Sequence, residues 1–128
     1  MDNQIERITH LSYRGKAIMA INYSGLSNQN ELRALIRQAG RCIAKQPPNS
    51  LLTLTDFSGV PFDLDIVTLI IDYAKHNKPY IQWSALVGIE GYANLIFHSA
   101  TKICRRENVQ TFVSRDIALD WLVRQGTS

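Results

Sequence analysis

The sequence has no apolar run long enough to cross a membrane. Its longest apolar stretches, such as IVTLII at residues 66–71, fall far short of the ~18 residues that a spanning helix needs. The first ten residues carry acidic side chains and no apolar segment of the kind that a signal peptide requires. We therefore expect a soluble, cytoplasmic protein without a membrane span.

Cysteine and histidine are also scarce, so few residues are available as metal ligands or catalytic nucleophiles. The cysteines Cys42 and Cys104 form no CxxC motif, and His10, His76 and His98 fall in separate predicted elements without an obvious partner. This pattern predicts neither a metal site nor a catalytic triad. Reduced, buried thiols are the expected state of the two cysteines, and a disulfide between them is the alternative.

The remaining composition is that of one globular domain over residues 1–128. Hydrophobic residues make up 45% and charged residues 20% of the chain, which suits a single buried core. The net charge of +3 is too small to predict a nucleic-acid partner. The segment VGIEGYAN lacks the glycine spacing of a phosphate-binding loop, and no cofactor is expected.

Hydrophobic periodicity predicts five strands and four helices. Two alternating runs separated by Gly15 predict a tight antiparallel hairpin, and three later strands that alternate with helices predict parallel crossovers. The predicted fold is α/β, with a mixed five-stranded sheet in the order β-β-α-β-α-β-α-β-α. Strands are expected at residues 8–14, 16–22, 51–56, 80–89 and 109–113, and helices at about 29–45, 64–77, 91–101 and after Ser114.

Residues that could bind a ligand follow the predicted strands. In sheets of parallel strands, loops at the carboxyl ends of the strands hold ligands. These positions predict where a binding site lies, but they supply no combination of nucleophile, base and orienting group, so no enzyme activity is expected. The residues at these positions are Asp56, Ser58, Asp63, Asp65, Gly88 and Glu90.

The segment TDFSGV after the third strand is superficially similar to the nucleophile loop of haloacid dehalogenase phosphatases. Those enzymes need a second acid two residues after the first, and Ser58 stands there. We therefore expect no magnesium-dependent phosphatase activity. Asp56 is expected to hold its loop by accepting backbone N–H bonds, and Asp63 to cap the second helix.

The second predicted helix has a wider apolar surface than a helix lying on a sheet needs. Its inward face is expected to be the set Leu64, Val67, Ile70, Ile71 and Ala74. Beyond that face, three more apolar side chains predict a homodimer interface or an apolar lid over a pocket, unless other parts of the monomer cover them. These three side chains are Ile66, Leu69 and Tyr73.

The first predicted helix carries a row of cations. Arg33, Arg37 and Arg41 recur at i, i+4 spacing with Lys45 after them, and no acid lies among them. The row is expected on the exposed side, because the opposite face is apolar. It is either a solvated face or a docking surface for an acidic protein or an anionic membrane surface.

Four segments together resemble one family. The YRGK turn, the strand end TDFSG, the strand KPYIQWSALVG and the closing TFVSRDIALDWL are similar to the SpoIIAA-like branch of the STAS domains, relatives of bacterial anti-sigma factor antagonists. The resemblance covers nearly the whole chain. It implies a single-domain regulatory or protein-interaction function. In the antagonists, a D-S-S-G segment contains a serine that a partner kinase phosphorylates.

The chain departs from that family at the phosphorylation switch. The corresponding stretch reads Asp63, Leu64, Asp65, Ile66, which has no serine, although an acid there could act as a fixed negative charge. The resemblance also extends to lipid-carrier domains of related fold. We therefore expect a non-enzymatic regulatory or interaction domain, homodimeric, and the alternative is a carrier of an apolar or amphiphilic small molecule.

Overall fold

A computed structural model describes residues 7–103 and 108–125. The predicted α/β fold and element order are confirmed, and no helix within these two ranges is long and apolar enough to cross a membrane. The strands are β1 (Ile8–Tyr13), β2 (Lys16–Asn22), β3 (Leu51–Asp56), β4 (Ile81–Val87) and β5 (Val109–Phe112). The helices are α1 (Gln29–Ala44), α2 (Leu64–Asn77), α3 (Tyr92–Ile103) and α4 (Arg115–Gln125).

The five strands lie side by side in the order in which they occur along the chain. β1 and β2 form an antiparallel hairpin with Tyr13 opposite Lys16. Arg14 and Gly15 make the turn with φ angles of 51° and 81°, the left-handed region that a two-residue hairpin turn requires. Strands β2 to β5 run parallel, so their carboxyl ends share one edge of the sheet.

Helix α1 begins and ends where its sequence dictates. The side chain of Asn28 accepts hydrogen bonds from the backbone N–H groups of Asn30 at 2.8 Å and Glu31 at 3.2 Å, which caps the first turn. The helix ends at Ala44, shortly before two prolines. Its buried residues recur at helical spacing and are Leu32, Leu35, Ile36, Ala39, Gly40 and Ile43.

Helices cover both faces of the sheet. α1, α2 and α3 lie on one face, where Ala93 and Phe97 of α3 join the larger core cluster. α4 packs on the other face against Ile18, Leu54 and their neighbours. Of the two cysteines, Cys42 is a half-buried free thiol, and Cys104 lies outside the described residues.

Candidate functional site

Helix α2 faces the sheet with a different side from the predicted one. Ile66 is 2% exposed and Ile70 is 4% exposed, and Leu69 and Tyr73 pack against the same core. Ile66 therefore does not belong to an outer surface, and the alternative in which other parts of the monomer cover these side chains applies to it. Leu69 and Tyr73 are half-buried, and a homodimer through them stays a prediction.

The physical reason is that α2 is covered by α1 as well as by the sheet. Leu69, Tyr73 and His76 recur at i, i+4 and i+7 and form one flank of α2. On that flank, the position of a Cβ on Gly40 of α1 lies only 3.5 Å from the His76 ring. Tyr73 also meets the ring of Tyr23 edge-on, with centroids 6.3 Å apart. A helix set between a sheet and a second helix buries two flanks, which accounts for the wide apolar arc.

Ile70 faces inward as predicted, but the other four residues predicted to face inward form the opposite flank of α2. Val67, Ile71 and Ala74 are half-buried, and Leu64 is 80% exposed. This flank faces α3, and Phe97 of α3 lines the same two hollows as Ile71. The flank therefore borders a cavity beneath α2 instead of filling the core.

A cavity lies between α2, α3 and the sheet. Its enclosed part has a volume of about 50 Å³, room for roughly three or four ordered waters, and the rest of the hollow is open to solvent. A larger molecule would therefore also occupy the open part. The lining residues of the cavity are Ile21, Ile43, Thr53, Thr55, Phe57, Ile70, Ile71, Tyr73, Ala74, Asn77, Ile81, Ser84, Leu86, Phe97 and Val109.

A few polar groups interrupt this apolar lining. The hydroxyl of Thr53 on β3 donates to the hydroxyl of Ser84 on β4 at 2.8 Å, and both residues are buried. Thr55 lies two residues farther along β3 on the same side of the sheet. Asn77, the last residue of α2, is 3% exposed, and its Oδ1 lies 3.0 Å from Nδ1 of His76. The cavity therefore combines an apolar body with a small number of hydrogen-bonding groups.

Two stacked aromatic rings, those of Phe57 and Tyr23, lie at one side of the cavity. Phe57 lines the cavity, and its ring stacks on Tyr23 with centroids 5.0 Å apart and planes inclined by 5°. Burial raises the pKa of the Tyr23 hydroxyl well above its usual range, and the neighbouring Tyr73 adds to this shift. Tyr23 therefore stays neutral at physiological pH and supports the cavity as an uncharged ring.

Asp56 and Ser58, two of the predicted binding residues, are brought together by the structure. Oδ1 of Asp56 accepts the backbone N–H of Ser58 at 2.9 Å and its hydroxyl at 2.6 Å. The prediction that Asp56 holds its own loop is confirmed. Gly88, with a φ of +85°, lies against this loop so closely that a Cβ would lie 2.3 Å from the Ser58 nitrogen. These residues fix the contact between the loops after β3 and β4.

The other predicted binding residues have separate surroundings. Asp63 caps α2 as predicted, accepting the backbone N–H of Ile66 at 2.9 Å. Asp65 in the first turn and Glu90 after β4 are exposed. Neither these three nor Asp56 and Ser58 line the cavity. Within residues 7–103 and 108–125, no group of three or more histidine, cysteine or acidic side chains could hold a metal ion.

The basic row on α1 is exposed, as its position opposite the apolar face requires. Arg33, Arg37 and Arg41 are all exposed, while Leu32, Leu35 and the other apolar residues of α1 are buried. The row lies on the outer side of α1, and none of its members lines the cavity. Its use as a docking surface stays a prediction.

Sequence reasoning missed the polar groups of the cavity. Thr53 and Thr55 lie in the run LLTLTD, which is buried over its first five residues, so hydrophobicity gives no alternation that would separate the two faces. One signal was available. Two threonines spaced by two residues must point to the same face of a strand, and polar side chains on a buried face require partners such as Ser84.

Comparison with known proteins supports the fold assignment. No family model and no curated protein matches the sequence. Among the solved structures that match it, two are described below and cover nearly the whole chain. An uncharacterised protein of the DUF3478 family with a SpoIIAA-like fold, from Shewanella loihica, has 14% identity and a TM-score of 0.69, covering 90% of this chain and 91% of its own.

The second solved structure is an anti-sigma-factor antagonist (STAS) domain protein from Planctomyces limnophilus. It has 16% identity and a TM-score of 0.60, covering 91% of this chain and 97% of its own. Identities this low establish the fold alone. The resemblance to SpoIIAA-like and STAS domains is thus confirmed at the level of the fold.

Proposed function

We propose that this SpoIIAA-like domain is a non-enzymatic binding domain whose cavity beneath α2 takes an apolar or amphiphilic small molecule. The observation that carries the proposal is the lining of the cavity, where the paired hydroxyls of Thr53 and Ser84 interrupt an otherwise largely apolar wall. Small-molecule sites commonly have this composition, because apolar contact supplies affinity and a few polar groups fix orientation.

The chemistry of the lining favours binding over catalysis. The described lining residues include no carboxylate, imidazole, thiol or amine. Hydroxyl and amide groups can accept or donate a hydrogen bond to a ligand, but without a neighbouring base they are weak nucleophiles. A molecule in the cavity would therefore be held without being chemically changed.

Filling the cavity should weaken ligand binding at least tenfold without unfolding the protein. Ala74 lines the cavity from α2 and is half-buried, so the indole of Ala74→Trp can occupy the hollow from its open side. We expect the affinity for N-phenyl-1-naphthylamine, a neutral apolar fluorophore, to fall by about tenfold or more, which corresponds to the loss of ~1.4 kcal/mol of binding free energy. Fluorescence titration measures this affinity.

Ala44→Trp is the matched control for this experiment. Ala44 is also a helical alanine, but it is exposed at the end of α1 and does not line the cavity. Its variant should bind the fluorophore as the wild type does. Equal affinity in wild type and Ala74→Trp, or no binding by the folded wild type, would contradict the proposed site.

The exposed arginine row supports a second candidate function, a protein-interaction domain with an acidic partner. Arg33, Arg37 and Arg41 are exposed along one side of α1 with no acid among them. One structural neighbour is named an anti-sigma-factor antagonist, and a regulator of that kind would use a protein partner. The stretch Asp63, Leu64, Asp65, Ile66 has no serine, so this candidate requires no phosphorylation there.

Replacing the three arginines by glutamine should leave the fold intact and weaken association. Exposed charges contribute little to stability, whereas opposite charges accelerate encounter in a salt-dependent way. We expect an acidic partner captured from a cell extract at low salt to be lost with the variant. The charge-matched control is the triple variant Lys75→Gln, Lys78→Gln, Lys102→Gln. Identical capture of the partner by the wild type and by both triple variants would mean that the arginine row is a solvated face.

A further inference from the structure

The cavity beneath α2 is polar among its most buried residues and apolar where its lining is more exposed. Thr53, Thr55, Asn77 and Ser84 line it and are between 1% and 5% exposed. The half-buried lining residues all carry apolar or aromatic side chains, and they are Ile71, Tyr73, Ala74, Phe97 and Val109. A molecule that enters from solvent therefore meets apolar side chains before it reaches the buried hydroxyl and amide groups.

Two of the buried polar groups bond to each other. The Thr53 and Ser84 hydroxyls lie 2.8 Å apart, because the register of β3 and β4 pairs these two residues. Two hydroxyls carry two protons, and the bond between them uses one. The Thr53–Ser84 pair therefore keeps one O–H group that can donate to a bound molecule.

The hydroxyl of Thr55 has no such partner. Thr55 lies two residues beyond Thr53 on the same side of the sheet, about 7 Å away along β3. It is 4% exposed, and within residues 7–103 and 108–125 no protein group forms a hydrogen bond with its hydroxyl. A buried O–H without a partner costs free energy. Because Thr55 lines the cavity, a partner for its hydroxyl has to reach it from the cavity.

The chemistry of the buried end favours a neutral acceptor as this partner. A buried donor without a partner is costlier than an unfilled lone pair on an acceptor, so the free O–H groups require an oxygen that accepts. The described lining residues include no lysine or arginine, and a carboxylate buried without a cation is costly. The carbonyl oxygen of a ketone, an amide or an ester accepts a hydrogen bond without carrying a charge.

The enclosed part of the cavity limits the size of the group that it can hold. Its volume of about 50 Å³ has room for roughly three or four waters. A carbonyl group with the two atoms attached to it needs about the same room. The rest of a larger molecule would lie in the open part of the cavity.

We propose that the cavity beneath α2 binds a compact neutral molecule through a carbonyl group that accepts a hydrogen bond from the Thr55 hydroxyl. The carbonyl lies among the buried polar groups, and the apolar remainder lies in the open part against Ile71 and Ala74. This inference rests on the proposed function, since it names the chemical class of molecule that the same cavity takes. It also makes Thr55 the residue that selects this class.

Three probes of equal size and shape separate the carbonyl group from apolar contact and from charge. 2-Pentanone, butyrate and 2-methyl-1-pentene all carry a propyl group on a planar carbon, which bears a neutral carbonyl, a carboxylate or no oxygen. Each is titrated into the full chain at neutral pH, and the methyl NMR signals of Ile70 and Ile71 report binding. We expect 2-pentanone to bind at least about tenfold more tightly than butyrate.

The variant Thr55→Val keeps the shape of the side chain and removes its hydroxyl. We expect it to weaken binding of 2-pentanone about fivefold, which is the effect of one neutral hydrogen bond. Its affinity for 2-methyl-1-pentene should be unchanged or higher. Thr9→Val is the matched control, because Thr9 is an exposed threonine of β1 that does not line the cavity. The control should bind all three probes as the wild type does.

Urea unfolding of the free protein gives a second readout. A hydroxyl without a protein partner does not stabilise the fold, so Thr55→Val should keep or raise the urea midpoint. Thr53→Val breaks the hydrogen bond to Ser84 and should lower the midpoint. A lower midpoint for Thr55→Val would mean that its hydroxyl is bonded within the protein, which would overturn the role assigned to it.

The binding outcomes distinguish the inference from the proposed function. If neither 2-pentanone nor 2-methyl-1-pentene binds the folded wild type, the proposed binding function fails. If both bind but Thr55→Val does not selectively weaken 2-pentanone, or if butyrate binds as tightly as 2-pentanone, the cavity binds small molecules but the carbonyl inference is overturned.

Discussion

The variant Ile66→Asp should lose a large part of the protein's free energy of unfolding. Ile66 is 2% exposed within the core beneath α2, so the substitution removes a buried apolar side chain and places a carboxylate among apolar neighbours. The two effects together are expected to cost about 4 kcal/mol or more of the free energy of unfolding. A domain of this size has ~5–15 kcal/mol in total. Far-UV circular dichroism with urea titration measures the loss.

Leu64→Asp is the matched control, because the same substitution is made two residues earlier in the same helix. Leu64 is 80% exposed, and an added acid in the first turn interacts favourably with the helix dipole. Its free energy of unfolding should stay within about 0.5 kcal/mol of the wild type. If Leu64→Asp were the damaging change and Ile66→Asp were tolerated, α2 would have the orientation predicted from the sequence.

The second large effect is expected at the contact between the loops that follow β3 and β4. In Gly88→Ala, the new Cβ would lie 2.3 Å from the backbone nitrogen of Ser58 and 2.7 Å from its Cα. Backbone must move to relieve these contacts, and Asp56 holds the Ser58 loop in place by two hydrogen bonds. This steric cost adds to the cost of a positive φ in a residue other than glycine. We expect Gly88→Ala to lower the free energy of unfolding by about 3–4 kcal/mol.

Gly15→Ala separates the steric cost from the conformational cost. Gly15 has a φ of +81°, close to the +85° of Gly88, but nothing lies within 4 Å of the position of its Cβ. The variant Gly15→Ala should therefore lose only about 1 kcal/mol of its free energy of unfolding. Equal destabilisation of the two variants in thermal or urea unfolding would mean that the loops after β3 and β4 do not meet as described.

The secondary structure was readable from the sequence because its signals are local. The buried strand β3 and the helix α2 have the predicted bounds. Asn28 and Asp63 cap the helices as expected, through hydrogen bonds to residues two or three positions away. Caps, turns and periodicity each depend on a few neighbouring residues. The parallel order of the later strands followed from the handedness of crossover connections.

The orientation of α2 could not be read in the same way. Its apolar residues cover both flanks, so the periodicity fits two rotations of the helix, one with Ile66 inward and one with Val67 and Ile71 inward. The choice is made by the approach of α1 through Gly40 and by the ring of Tyr23. These contacts join residues far apart in sequence, and helical periodicity carries no information about them.

The residues predicted to bind a ligand do not line the cavity, for a related reason. Polar residues after strands predict a ligand site at Asp56, Ser58 and Asp63, but each of these residues holds a loop or a helix end. The groups that line the cavity, among them Thr53 and Ser84, lie within apolar runs. They become a site only when β3 and β4 pair in the observed register.

The separation of the cavity from the arginine row leaves the domain with two independent surfaces. The cavity lies between α2, α3 and the sheet, while Arg33, Arg37 and Arg41 lie on the outside of α1. Binding of a ligand and docking of a partner can therefore be tested separately, with variants that affect one surface only.

The position of a bound alkyl group decides whether the cavity beneath α2 is a binding site. In an isotope-filtered NMR experiment on the wild type with 1-octanol, we expect nuclear Overhauser effects from the alkyl group to the methyl groups of Ile71 and Ala74 and to the ring of Phe97. Ala74→Trp should lose these contacts. Contacts confined to the opposite face of the sheet, at Trp83 or Trp121 beside α4, or no contact with α2 in the folded protein, would contradict a binding site beneath α2.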